Sequence, residues 1–175
     1  MDLRYPIGPF HYGGPLTDEQ QQRLIDQIEA TPARLRAAVE GLSPQRLETP
    51  YRPGGWTVRQ VVHHLPDSHL NSYMRFRLAL TEDEPTIKPY YEDRWAELDD
   101  ARHAPIDISL ALLEALHHRW VLLLRSLNAQ DFARTFVHPE LGVVSLEKNV
   151  SLYAWHGRHH VAHITSLRER MGWRL

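Results

Sequence analysis

The chain has 175 residues, enough for one domain with a hydrophobic core and short for two. Its 20 basic and 22 acidic side chains are nearly balanced and form no basic block, so nucleic acid is not an expected partner. There is no cysteine, which excludes disulfides and thiolate metal sites and fits a reducing compartment such as the cytoplasm, the expected location. Neither a signal peptide nor an apolar run of membrane-spanning length is recognisable, so no membrane partner is expected.

Twelve histidines are the unusual feature of the composition. They are scattered over the chain in pairs and clusters, so a purification tag does not explain them. Because cysteine is absent, any transition-metal site must be built from imidazole and carboxylate groups.

Residues 1–16 hold three prolines and three glycines and predict an irregular N-terminal arm. A first helix is then predicted from a cap at Thr17 or Asp18 to about Glu40, with a kink at Pro32.

A second helix is predicted from Thr57, which forms a capping-box pattern with Gln60, to about Leu80. Pro66 lies inside it and predicts a second kink.

Residues 81–106 are charged and interrupted by prolines, which predicts a long connection with at most one short helix. A third helix, "ISLALLEALHHRWVLLLRSL", follows a cap at Asp107 or Ser109. The segment around "HPELG" contains two short β-type runs and predicts a small hairpin before a fourth helix, which runs from Ser145 to about Met171. The predicted fold is all-α: one domain over residues 1–175, a four-helix bundle with a long crossover connection.

The fourth helix contains "WHGRHHVAHI", in which His156/His160 and His159/His163 form two overlapping i,i+4 pairs. At 100° per residue, His160 lies about 50° and His156 about 90° from the centre of the apolar stripe. His163 lies somewhat further out, and His159 is about 150° away and is expected to be solvated. The first pair is therefore the one that can face the bundle interior. The stripe consists of Leu146, Val150, Tyr153, Gly157, Val161, Ile164 and Met171.

Two imidazoles do not hold a catalytic zinc ion, since three protein ligands and an open position are usual. The second helix offers His63, His64 and His69 in "VVHHLPDSHL". Periodicity places His69 near the middle of the apolar stripe and His64 at its edge, about 120° from the centre. Pattern alone therefore favours His69, and a one-residue register shift would exchange His64 for His63. On the third helix, His117 and His118 are expected to be solvated.

"GGWTVRQVVHHL" resembles the motif that opens the second helix in the DinB superfamily, where a tryptophan precedes a ligand histidine by eight positions. Trp56 plus eight is His64. "WHGRHHVAHI" is similar to the family's fourth-helix motif, and the arm "YPIGPFHYGGPLT" resembles the YfiT branch. The resemblance implies one divalent metal per chain, zinc first and nickel as the alternative, held by His64, His156 and His160.

The family contains proteins classed as metal-dependent hydrolases and relatives that attach low-molecular-weight thiols such as bacillithiol to electrophiles. The resemblance therefore implies an enzyme of one of these two kinds acting on a small molecule, the second with a thiol as co-substrate. The alternative is a non-catalytic metal-binding or stress-response module. No general base is identifiable, and Asp67 and His163 are candidates for proton transfer or for orienting the ligands. The third helix is apolar on more than one face, which predicts a homodimer.

Overall fold

The computed structural model describes residues 2–173, within which four long helices form a bundle. Met1, Arg174 and Leu175, the ends of the predicted domain, lie outside the described residues. The long helices are α1, α3, α6 and α8; shorter helices and a two-stranded hairpin occupy the connections. In chain order the elements are α1 (Asp18–Val39), α2 (Pro44–Leu47), α3 (Val58–Thr81), α4 (Glu92–Trp95), α5 (Asp99–His103), α6 (Ile106–Ser126), α7 (Ala129–Phe132), β1 (Thr135–His138), β2 (Gly142–Ser145) and α8 (Leu146–Met171).

Local sequence signals set the starts of three long helices. Thr17 and Thr57 each close a capping box with the glutamine three residues later, and Ser145 caps α8. Helices α1 and α3 continue through Pro32 and Pro66 without interruption. The predicted bundle and the antiparallel hairpin of β1 with β2 are both confirmed.

The start of α6 differs from the prediction. The helix begins at Ile106 behind Pro105, and no side chain caps it. Asp107 therefore lies in the first turn, and the hydroxyl of Ser109 is hydrogen-bonded to His63 Nδ1 at 2.7 Å. The connection before α6 contains two short helices, α4 and α5, rather than at most one.

The bundle core consists of two apolar clusters separated by a polar layer. One cluster contains Trp120 and Phe76, and the other contains Leu65 and Leu113. Each long helix contributes residues to both clusters and carries a polar or small residue between them. We call these residues the polar layer: Thr31 on α1, His69 on α3, His117 on α6, and His156, Gly157 and His160 on α8.

No helix within residues 2–173 is long and apolar enough to cross a membrane. Helix α6 carries large apolar side chains on its outer surface, namely Ile108, Leu112 and Leu122, which are 62%, 47% and 63% exposed. The homodimer stays a prediction, and this surface is where it is expected.

Candidate metal centre

Three imidazoles converge where α3 faces α8. His64 comes from α3, and His156 and His160 lie one turn apart on α8. One ring nitrogen from each lies within 4.8 Å of the others, and the Nε2 atoms of His64 and His156 are 3.4 Å apart. Two ligands at the corners of a tetrahedron around Zn²⁺, each about 2.1 Å from the ion, are separated by about 3.4 Å. The spacing of this pair therefore fits a tetrahedral ion.

A series of hydrogen bonds determines which nitrogen of His156 carries a lone pair. The series starts at the Ile28 carbonyl, which can only accept a hydrogen bond, so His117 donates its Nδ1–H to it over 2.7 Å. His117 Nε2 must then accept from His69 Nδ1–H, 2.8 Å away. His69 Nε2 accepts in turn from the Nδ1–H of His156 over 3.1 Å. The lone pair of His156 is therefore on Nε2, the atom that faces His64.

A second series of hydrogen bonds determines in the same way which nitrogen of His160 carries a lone pair. The carbonyl of Arg4, in the N-terminal arm, accepts the Nε2–H of His163 over 3.1 Å. His163 Nδ1 must then accept from His160 Nδ1–H, 3.3 Å away. The Nε2 of His160 is thus left with its lone pair. The hydrogen-bond partners of both helix-α8 imidazoles thus leave the Nε2 lone pairs free, as a metal ligand requires.

All three rings are neutral at pH 7. Burial lowers the pKa of His64 to about 3, and the pKa values of His156 and His160 lie well below 6.5 for the same reason. Neighbouring imidazoles lower these values further. Because a metal binds the deprotonated imidazole, the rings need not lose a proton to accept a cation.

The three histidines form part of the wall of a cavity of about 820 Å³, a volume typical of small-molecule sites. Trp56 packs against His64 with ring centroids 4.7 Å apart, and Tyr51 stacks on His163 at 3.9 Å. The remaining walls come from the N-terminal arm, the connection around α4 and the β1–β2 turn. The cluster is thus accessible from a pocket lined by several segments.

The family model of the DinB superfamily matches residues 27–164. The chain belongs to the DinB superfamily. This confirms the resemblance carried by the motifs around Trp56 and His156.

Two solved structures are similar to this DinB-superfamily chain. One has the description "YfiT from Bacillus subtilis is a probable metal-dependent hydrolase with an unusual four-helix bundle topology"; it is 51% identical, with a TM-score of 0.97 over 99% of this chain and 100% of the other. The second, TT2238, "a four-helix bundle protein", is 22% identical with a TM-score of 0.56 over 81% of this chain and 94% of the other, and supports the fold alone.

Curated relatives cover nearly the whole chain. A protein of Bacillus cereus (strain 03BB102) and one of Bacillus thuringiensis subsp. konkukian are each 59% identical over 172 residues, 98% of this chain and 99% of the relative. A protein of Bacillus anthracis (strain A0248) is 58% identical over the same extent. All three are named "Putative metal-dependent hydrolase".

The two alternative second-helix histidines have other partners. His63 is buried, but its Nε2–H donates to the Ala104 carbonyl over 3.1 Å and its Nδ1 accepts from Ser109. His69, which periodicity favours, lies in the polar layer; it contacts His156 but is not part of the cluster formed by the other three histidines. Helical phase identifies His69 as the most buried histidine of α3, but burial and proximity to the cluster are different properties.

Two expectations of solvated histidines are wrong. His117 is 1% exposed because it lies in the apolar stripe of α6, at i+4 from Leu113 and i−3 from Trp120; that spacing was visible in the sequence. His159 is 7% exposed because the N-terminal arm covers it: Tyr5 packs against it at 5.9 Å. Nothing in the periodicity of α8 could reveal that cover. The exposed neighbour His118 agrees with the prediction.

The two weak catalytic candidates differ in position. His163 lines the cavity and supports His160, with both ring nitrogens hydrogen-bonded. Asp67 is half-buried but is not among the described residues that line the cavity. Burial, and then the nearby Asp100, raise the pKa of Asp67 to about 6. The structure therefore places His163 beside His160 in the cavity wall and Asp67 outside the described residues that line the cavity.

Proposed function

We propose that this protein is a metal-dependent hydrolase that binds one divalent ion, zinc or alternatively nickel, through His64, His156 and His160. The observation that carries the proposal is the convergence of three neutral imidazoles in the wall of a cavity, with no fourth ligand in the cluster among residues 2–173. Three ligands beside a cavity favour a catalytic site over a closed structural one, and hence an enzyme over a metal-binding module. The names of the Bacillus relatives support the same reaction class.

A divalent ion held by three neutral imidazoles would lower the pKa of a water molecule or thiol at its open position. The chain's own residues supply the surroundings. Trp56 packs against His64, Tyr51 stacks on His163, and Ser68, Tyr90 and Tyr153 line the cavity beside them. Burial raises the pKa of Tyr90, so its phenol stays protonated and can donate a hydrogen bond to a substrate.

Thiol transfer is the second candidate, with a low-molecular-weight thiol such as bacillithiol as co-substrate. The observation that favours it is the position of the carboxylates. Those that line the cavity among the described residues belong to exposed side chains, namely Glu92, Asp93 and Glu140, and Asp67 does not reach it. Hydrolysis usually needs a base near the attacking water, whereas a thiol bound to a divalent ion is already deprotonated.

Metal analysis of single-histidine variants tests the ligand set. Wild-type protein is expected to hold one equivalent of zinc after loading and desalting, and H64A, H156A and H160A less than a tenth of that amount. H159A is the control, because His159 lies in the same decapeptide but outside the cluster. If H159A loses the ion while H156A keeps it, the ligand assignment is wrong.

Reaction assays on the zinc-loaded protein distinguish the two candidates. The hydrolase predicts metal-dependent cleavage of a simple ester or amide that is lost in H156A. The transferase predicts metal-dependent conjugation of bacillithiol to an electrophile such as monochlorobimane. Thiol conjugation without ester or amide hydrolysis would overturn the proposal in favour of the second candidate.

A further inference from the structure

Arg75 on α3 is a buried cation without a protein partner. Its side chain is 9% exposed and lines the cavity. It makes no hydrogen bond and no ion pair with any of residues 2–173. Arg168 is buried to a similar degree, 7% exposed, but donates to the carbonyls of Ala38 and Glu40. None of the Arg75 nitrogens is among the buried side-chain atoms of the described residues that lack a partner, so its free donors open into the cavity, where a ligand can reach them.

Arg75 lies on the same face of α3 as the cluster. His64, Ser68 and Arg75 are at positions i, i+4 and i+11, and all three line the cavity. At 100° and 1.5 Å per residue, Arg75 is rotated about 20° from His64 and lies about 16 Å further along the helix axis. The cavity therefore has imidazoles at one end and a guanidinium towards the other, so an elongated small molecule in the cavity could contact both.

The other cavity arginines are already engaged. They are Arg4, paired with Asp2; Arg52, which donates to the Pro53 carbonyl and the Tyr51 hydroxyl; and Arg94, which lies over the Tyr91 ring. The cavity carboxylates, of Glu92, Asp93 and Glu140, are exposed, and none pairs with Arg75 among the described residues. Among the arginines that line the cavity, Arg75 is thus the buried one, and its guanidinium has no protein partner among residues 2–173.

His138 adds a second donor in the same cavity. Its Nδ1 accepts a hydrogen bond from the backbone N–H of Glu140 over 3.2 Å, so its Nε2 carries the proton. Burial and the positive charge of Arg75 lower the pKa of His138, which keeps the ring neutral. A neutral N–H and an unpaired guanidinium are both complementary to an oxyanion.

We propose that Arg75 is an anion-binding residue and that the substrate carries a carboxylate or phosphate group at the end remote from His64. A guanidinium binds either group through two parallel hydrogen bonds, which fixes the orientation of the molecule relative to the imidazoles. Anion binding follows from the geometry of Arg75 alone. That the anion is part of the substrate rests on the proposed hydrolase function.

Calorimetric titration of zinc-loaded protein with inorganic phosphate, and separately with acetate, tests the anion site. Any binding at the zinc ion is common to all variants, so differences between variants report on Arg75. R75Q is expected to weaken binding of at least one of the two anions at least tenfold, and R75K to give an intermediate loss because it keeps the charge without the bidentate fork. R77Q, an exposed arginine on the same helix outside the cavity lining, should stay within twofold of wild type.

Thermal unfolding separates this role from a structural one. Because Arg75 has no protein partner to lose, R75Q should melt at or above the wild-type temperature. Unchanged binding of both anions in R75Q, or an equal loss in R77Q, would overturn the proposal. So would a large fall in the R75Q melting temperature, since it would show that Arg75 has a structural partner.

Two esters connect the anion site to the reaction. The ratio of kcat/KM for mono(4-nitrophenyl) sebacate, whose long chain can extend from the imidazoles towards Arg75, to that for 4-nitrophenyl acetate should fall at least tenfold in R75Q and stay constant in R77Q. If phosphate or acetate binding depends on Arg75 but neither ester is hydrolysed, the anion site stands and the hydrolase proposal fails. If both esters are hydrolysed and neither the ratio nor anion binding depends on Arg75, the hydrolase stands and the anion site is wrong.

Discussion

Replacement of His69 by leucine is expected to weaken zinc binding although it removes none of the three proposed ligands. His69 is fully buried and accepts the Nδ1–H of His156 over 3.1 Å. In H69L that proton has no acceptor while His156 Nε2 binds the ion. In the metal-free variant the proton can move to Nε2 and be donated to His64 Nε2, 3.4 Å away. The unpaired proton therefore destabilises the zinc-bound form of H69L more than its metal-free form, which weakens zinc binding.

The size of the effect follows from the lost hydrogen bond. A buried donor without an acceptor costs about 1–3 kcal/mol. At about 1.4 kcal/mol per factor of ten, this corresponds to a zinc Kd raised roughly 5- to 150-fold. The range agrees with the 10- to 100-fold losses typical when the hydrogen-bond partner of a metal-binding histidine is removed.

Competition with a chromophoric chelator measures the zinc Kd of wild type, H69L, H69Q and H118L. H69Q should recover part of the affinity, because its amide oxygen can accept the His156 proton. H118L is the matched control, since His118 is exposed on α6. A folded H69L, with wild-type helical content, that binds zinc as tightly as wild type would refute the assigned hydrogen-bond polarity.

Four further predictions concern stability and assembly. Burial lowers the pKa of His117 to about 4, so between pH 6.5 and pH 4 the unfolded state binds a proton at His117 and the folded state does not. His117 should therefore lower the free energy of unfolding of the metal-free protein by about 2 kcal/mol between pH 7 and pH 5. Urea titrations of H117Q should show a smaller decrease in the free energy of unfolding over that interval than wild type. A Cβ at Gly157 would lie 2.7 Å from Oγ1 and 2.8 Å from Cγ2 of Thr31, so G157A should lower the free energy of unfolding by about 1–3 kcal/mol in wild type and by less in T31A, where only the Cβ contact at 3.3 Å remains. R168M should lower it by about 1–3 kcal/mol, measured by denaturant titration, because the buried carbonyl of Ala38 and the partly buried carbonyl of Glu40 lose their donor. If α6 forms the expected homodimer, sedimentation velocity should detect a dimer in wild type and a monomer in L122E.

The helix pattern was predictable because its signals are local. Capping boxes at Thr17 and Thr57 and the phase of the α8 apolar stripe depend on residues within a few turns of each other. The same phase calculation separates His156 and His160 from the remaining histidines of the decapeptide. Their metal role stays a prediction, but their position beside His64 agrees with the motif spacing.

The supporting contacts were not predictable, because they join segments far apart in the chain. His159 is buried by Tyr5 of the N-terminal arm, and Arg4 in the same arm supplies the carbonyl that orients His163. Arg75 looks like an ordinary surface arginine in the sequence, and only the packing of α3 reveals that it is buried and unpaired. Its guanidinium lacks a partner because no acceptor from another segment of residues 2–173 lies within hydrogen-bonding distance of it. No local sequence pattern predicts such an absence.

The polar layer connects the proposed metal site to helices that contribute none of its proposed ligands. Each imidazole in the hydrogen-bond series from Ile28 to His156 can donate or accept at either nitrogen. The hydrogen bonds between these rings could therefore run in either direction. A carbonyl oxygen at one end permits only the polarity that leaves a lone pair on His156 Nε2. Helix α1 supplies that carbonyl and α6 supplies His117. A shift of either helix that breaks one of these hydrogen bonds would allow the proton of His156 to lie on either ring nitrogen. Substitutions that loosen the packing of α1 on α6 should therefore weaken zinc binding even when they lie far from the ligands.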